Sequence, residues 1–82
     1  MKAIVLSTSD GYEVIYIDSF LYDEGEPLGE GDHKLYFLKL HEEFSQITSK
    51  DIVFKDLTKR DESDCGDFAW PEMIEGFKDD YK

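Results

Sequence analysis

Lysine and arginine are scarce in this chain. Nine of them face twenty aspartates and glutamates in 82 residues, a formal net charge of −11. The deficit argues against direct binding to nucleic acid or to an anionic membrane, since both are polyanions. Cysteine is scarcer still. Cys65 stands alone, so an internal disulfide is excluded and nothing calls for an oxidising compartment. Long apolar runs are missing too. The first, residues 3–6, is too short for the core of a signal peptide and far too short to span a bilayer. The expectation is a cytoplasmic protein with no membrane anchor.

Familiar catalytic motifs are also absent. There is no G-x-S-x-G nucleophile elbow, no P-loop and no G-x-G-x-x-G. Cys65 lies among Asp64 and Asp67, whose charge raises a thiol pKa and blunts its reactivity. His33 and His41 are eight positions apart, about 27 Å on a strand, and no cysteine pair completes a zinc site. Residues 61–72 resemble an EF-hand calcium loop in spacing alone. Asp61, Ser63, Gly66, Phe68 and Glu72 stand at loop positions 1, 3, 6, 8 and 12. Cys65 at position 5 is a poor ligand for a hard cation, and no second loop is present. Acid–base catalysis needs a carboxyl raised in a pocket, and a chain this short has little volume for one. No catalytic residue, metal or cofactor is expected, and the protein is read as a non-enzyme.

Aromatic residues, by contrast, are plentiful. Six Phe, five Tyr and one Trp are too many for a solvated tail, so the chain is read as one folded domain over residues 1–82. A domain of this size buries only about 60% of its unfolded surface, so its stability is modest. Residues 2–8 read as a strand, Ser9-Asp10-Gly11 as a tight turn, and residues 12–21 as a second strand completing an antiparallel hairpin. Val14, Ile15, Tyr16 and Ile17 are consecutive and apolar, the pattern of a strand buried on both faces. One short helix covers one face; loops or a second copy of the chain cover the other. Residues 22–32, with three Gly, one Pro and five acids, read as a loop.

Residues 34–41 favour a strand, with a helix capped by Asp32 and running through Phe44 as the alternative. Residues 42–50 read as a loop or short helical turn. Residues 51–57 read as a strand, or as a helix capped by Ser49, and residues 58–66 as a polar linker. Residues 68–82 read as a helix with Trp70 at its entry and Pro71 in its first turn. Trp70, Met73, Ile74, Phe77 and Tyr81 then share one face, while Glu72, Glu75 and Asp79 share the other. The expected fold is α+β: a small antiparallel sheet of about three or four strands with the C-terminal amphipathic helix packed on one face.

Charge is segregated along this path. Eight acids and no lysine or arginine lie between Lys2 and Lys34, and six acids and again no lysine or arginine between Arg60 and Lys78. The middle, residues 34–60, is nearly balanced. A like-charge stripe on a helix costs roughly 0.2–0.5 kcal/mol per neighbouring pair. A local rule broken without structural gain marks candidates for function. The candidate partner-binding residues are Asp23, Glu24, Glu26, Glu30 and Asp32 in the first block, and Asp61, Glu62, Asp64, Asp67, Glu72, Glu75 and Asp79 in the second.

DNA presents one charge per roughly 1.7 Å of axis. Carboxylates lie about 5–6 Å apart on a helix face and about 6.7 Å apart along a strand face. A small rigid domain can therefore hold a row of charges at a pitch that a nucleic-acid groove accepts. Tyr12, Tyr22, Trp70 and Tyr81 would add contact area. In size and composition, and in no motif, the chain resembles the small acidic DNA mimics of phages and mobile elements, the class containing anti-restriction and anti-CRISPR proteins. The resemblance implies an inhibitor that occupies the nucleic-acid site of a basic partner of nuclease or polymerase type. The alternative is an adaptor or immunity-type module that binds through hydrophobic contacts on a sheet face or edge, its charge serving solubility and steering. A homodimer is compatible with either.

Overall fold

The computed structural model describes residues 1–66 and 69–82, apart from the Glu30 side chain. The expected hairpin is present. β1 (Ala3–Ser7) pairs antiparallel with β2 (Glu13–Ile17), Val5 opposite Ile15. The turn between them closes with Thr8 N–H donating to the Tyr12 carbonyl at 2.8 Å, and Gly11 takes a φ of 90°, which glycine adopts at little cost.

The second strand ends sooner than the sequence suggests. Asp18 and Ser19 both have positive φ, 48° and 75°, and turn the chain into β3 (Phe20–Gly25), which takes the first part of the segment read as a loop. Asp18 holds this turn to the N-terminus: its carboxylate accepts the Lys2 N–H at 2.9 Å and its own N–H donates to the Lys2 carbonyl. β3 pairs antiparallel with β2. Ile15 faces Asp23 and Tyr16 faces Leu21, so Tyr22 is an extra, bulged residue.

Residues 33–43 form a helix, α1 (His33–Glu43), not the favoured strand. Asp32 caps it, accepting the Leu35 N–H at 3.0 Å. The pattern is hard to read because Leu35 and Leu38 are exposed while Leu40 is buried. A short turn at Ser49–Asp51 leads into β4 (Ile52–Asp56), which pairs parallel with β1, Val5 beside Phe54. The sheet order is β3-β2-β1-β4, so the sheet is mixed and not antiparallel throughout.

The polar linker contains a helix, α2 (Lys59–Asp64), with Thr58 as its N-cap. The helix expected over residues 68–82 is absent from the described residues 69–82, and Phe68 lies outside them. Residues 69–82 contain one 3-10 turn, Ile74–Gly76, and Met73 makes an isolated bridge to Phe20. The reason lies in where the backbone N–H groups go. Ile74 N–H donates to Ser19 and the N–H groups of Lys78 and Asp79 donate to Asp61, long-range acceptors that outcompete a helical ladder. Gly76 also lowers helix propensity, and Asp79 and Asp80 stand at the end where the helix dipole disfavours them.

Both faces of β2 are buried, as the apolar run implied, and the chain itself covers them. Ile4, Leu6, Val14 and Tyr16 pack with Leu57, Cys65, Ile74, Phe77 and Tyr81. On the other face Ala3, Val5, Ile15 and Ile17 pack with Leu28, Leu40 and Ile47. Each fully buried aliphatic side chain stabilises the fold by about 1.5–3 kcal/mol. Tyr16 places its hydroxyl on the Pro71 carbonyl at 2.6 Å and its ring edge-on to Phe77. Ile74, Phe77 and Tyr81 are thus buried as expected, on an irregular segment instead of a helix face.

Candidate functional site

The first acidic block gathers around β3. Its bulge turns Tyr22 toward α1, where the ring meets Phe44 edge-on and the hydroxyl donates to Glu43 at 2.5 Å. Beside it the Tyr36 hydroxyl, carried by α1, donates to Asp23 at 2.9 Å. On the opposite face of the strand the Tyr12 hydroxyl donates to Glu24 at 2.8 Å, and the Tyr12 ring stacks on Trp70. Three carboxylates are therefore held by three tyrosines around one strand. Among the described residues none of the three is in an ion pair.

The tyrosines register this environment. The Glu43 carboxylate, with some burial, pushes Tyr22 up to about 12. Burial and then Asp23 raise Tyr36, while burial and then Glu24 raise Tyr12, with Glu26 adding to the effect. All three stay protonated donors at neutral pH. They fix the carboxylates without cancelling their charge. Asp32 is occupied as the α1 cap, and the Glu30 side chain lies outside the described residues.

The second block behaves differently. Asp61, expected on the binding surface, is 1% exposed and faces inward. Its carboxylate accepts the N–H groups of Lys78 and Asp79 at 2.8 and 3.0 Å and the Tyr81 hydroxyl at 2.7 Å. Asp64 pairs with Lys78, Glu75 with Lys82, and Asp79 with Arg60. Glu62 accepts the Ser9 N–H and hydroxyl, tying α2 to the first turn. Glu72 is exposed, and its carbonyl accepts the Leu21 N–H. Asp67 lies outside the described residues. The acids do not form one face: Asp23 and Asp32 sit on the α1 side of the sheet, whereas Glu24, beside Tyr12 and Trp70, lies on the side of the C-terminal segment.

Other candidates resolve into structure. His33 bonds Glu13 at 2.7 Å and His41 bonds the Ile47 carbonyl at 2.7 Å. On a helix the two are about 12 Å apart in rise, not the strand spacing. Cys65 is buried, and burial, then Asp61 and Asp64, push its thiol up. The calcium-loop spacing falls across α2, whose helical Asp61 is turned inward, while position 8, Phe68, lies outside the described residues. Among the described residues no three His, Cys, Asp or Glu side chains are grouped to hold a metal ion, and no helix is long and apolar enough to cross a membrane.

Two features escaped the sequence reading. Tyr36 and Glu43 join the rim only because residues 33–43 are helical. An apolar groove of about 460 Å³ also runs between α1 and β4, lined by Phe37, Leu38 and His41 on one side and Ile47, Ile52 and Phe54 on the other, with Lys34 as a further lining residue. Leu38 and Phe54, both exposed, are among its lining residues. No family model, curated protein or solved structure matches the chain.

Proposed function

We propose that the protein is a non-enzymatic inhibitor that presents the rim of Asp23, Glu24, Glu26 and Glu43 to the cationic, nucleic-acid-binding surface of a partner protein of nuclease or polymerase type. The observation that carries this reading is the bracing of three rim carboxylates by tyrosine hydroxyls. A lysine in the same place would hold a carboxylate equally well and neutralise it. A tyrosine holds it and leaves the full charge outside. Carboxylates already fixed lose less side-chain freedom on binding, and an uncancelled patch accelerates encounter with a cationic surface. The reading centres the acidic surface on Asp23, Glu24 and Glu26 of the first block, with Glu43 of α1 beside them. Asp61 is buried, and Asp64, Glu75 and Asp79 spend their charge on Lys78, Lys82 and Arg60.

The experiment is a competition. A partner captured at low salt should be displaced by saturating duplex DNA, and its affinity should fall steeply with ionic strength. Asp23→Asn with Glu24→Gln and Glu26→Gln should slow association markedly. Asp64→Asn with Glu75→Gln should change it little. Binding that ignores DNA, salt and the rim substitutions rejects the proposal. The second reading, a module that binds through a hydrophobic sheet edge, has the groove beside β4 in its favour; there Phe54→Ala would abolish capture while the rim substitutions would not.

A further inference from the structure

We infer that β4 pairs antiparallel with β4 of a second copy, and that Phe54 of each copy enters the groove of the other. β4 is an outer strand of the sheet. The opposite edge, β3, is partly closed by Met73, with Leu21 N–H on the Glu72 carbonyl and Ile74 N–H on that of Ser19. β4 has no such cover among the described residues. Leu57 N–H donates to the Ser7 carbonyl at 2.9 Å. Backbone groups alternate sides along a strand, so Val53 and Lys55 address β1, while Ile52, Phe54 and Asp56 address the open edge.

The sequence of this edge is complementary to its own reverse. In Lys50-Asp51-Ile52-Val53-Phe54-Lys55-Asp56, an antiparallel pairing centred on Val53 sets Lys50 against Asp56 and Asp51 against Lys55. Ile52 then faces Phe54, and Val53 faces itself. The register agrees with the backbone, because Ile52 and Phe54 both direct their hydrogen-bonding groups outward and would exchange them. A slip by one residue would lose that match and turn every side chain to the wrong face. The Ser49–Asp51 turn confines the ladder to Ile52–Phe54, and beyond it the long lysine side chains carry the pairing. Neither Lys50 nor Lys55 has an ion pair among the described residues.

Packing and charge agree with the register. Directly opposed residues share a face, so Phe54 of the second copy stands beside Ile52, which lines the groove. Phe54 is 53% exposed and Leu38 56% exposed, and this arrangement would cover both. Two copies with a net charge of −11 each repel. The groove is where that repulsion is least, since Lys34 and His41 line it and no carboxylate does. The rims on β3 would lie at the two far ends of one continuous sheet, leaving the proposed inhibitory surface open twice.

The test is sedimentation equilibrium of the full chain over a concentration series reaching the millimolar range. Wild type should show a monomer–dimer equilibrium. Lys50→Asp and Asp56→Lys should each weaken it by about tenfold, because each sets like charges against each other at two equivalent positions. Mixing the two variants should restore association as a heterodimer, a result that misfolding of either cannot produce. A monomer throughout the series overturns the inference. So does a dimer indifferent to both substitutions, or a mixture that stays monomeric.

Discussion

Replacing Asp61 by asparagine changes one atom from an acceptor to a donor among the backbone and hydroxyl groups of Lys78, Asp79, Tyr81 and Thr58. In the native site Oδ1 accepts the Lys78 N–H, and Oδ2 accepts the Asp79 N–H and the Tyr81 hydroxyl. An amide can serve only one of these two sets. Whichever way it turns, at least one donor is left buried without an acceptor, at about 1–3 kcal/mol each. The neutral amide also escapes the cost of burying a charge, so the net loss should be about 2–3 kcal/mol. Against a total stability of roughly 4–12 kcal/mol for a chain this long, that is a large fraction. It corresponds to a fall in Tm of roughly 8–24 °C. General charge repulsion predicts the opposite sign, because the variant removes one negative charge from a chain carrying an excess of eleven.

The same site has a pH signature. Burial pushes the Asp61 carboxyl up, but the Tyr81 hydroxyl, the Lys78 and Asp79 N–H groups and Thr58 more than reverse this, leaving it below the ordinary aspartate value. A carboxyl with a depressed folded pKa adds stability that is fully present above its unfolded value of about 3.9 and is lost as pH falls through the folded value. Thermal unfolding followed by far-UV circular dichroism should therefore show the gap between wild type and Asp61→Asn narrowing below pH of about 4. An unchanged or raised Tm at neutral pH, or a gap that persists in acid, refutes the reasoning.

The other expectations concern the rim, the terminal segment and the core. In an ultraviolet titration, one tyrosine should ionise near 12 and disappear in Tyr22→Phe, and Glu43→Gln should bring it down toward the usual value; a titration that Glu43→Gln leaves unmoved removes the bracing bond from the argument. Gly76→Ala should cost about 1–3 kcal/mol in urea unfolding, because the new Cβ would come within 2.5 Å of the Pro71 Cβ, whereas Gly66→Ala meets only ordinary contact and should cost less. Equal effects at the two glycines would contradict this. Phe77→Ala should cost about 3–5 kcal/mol and Met73→Ala little, since Phe77 is buried and Met73 is 44% exposed; comparable losses would point back to a helix with both residues on its inner face.

What could be read in advance was whatever a short window contains. The β1–β2 hairpin announced itself through β-branched runs around Ser9-Asp10-Gly11, and β4 through Ile52, Val53 and Phe54. The turn at Asp18 and Ser19 was hidden because it has positive φ without a glycine. α1 was hidden because Leu35 and Leu38 face outward and dilute its periodicity, although Asp32 did mark its start. At the C-terminus a helical spacing selected Ile74, Phe77 and Tyr81 as buried, yet Ser19 and Asp61 claim the backbone donors that a helix would use. The acids show the same division. A linear count finds them all alike, while the fates of several depend on partners distant in sequence, such as Tyr12 for Glu24, Tyr36 for Asp23 and Tyr81 for Asp61.

Those fates bear on why the charge excess persists. Arg60, Lys78 and Lys82 each meet a carboxylate of the second block, which offsets part of its charge while that segment seals one face of the sheet. None of the remaining lysines is brought to β3 as an ion-pair partner among the described residues. Solubility alone would be served by mobile carboxylates anywhere on the surface, and fixing them beside one another raises their repulsion. The tyrosines do fix them, and Tyr36 and Tyr22 do so from positions where burial and a neighbouring carboxylate both disfavour their ionisation. The ion-paired acids Asp64, Glu75 and Asp79 lie on the surface of the C-terminal side, while Asp23, Glu24 and Glu43 are held by tyrosines at the β3 end of the sheet. That end lies farthest from the β4 edge, where lysines remain available to meet another chain.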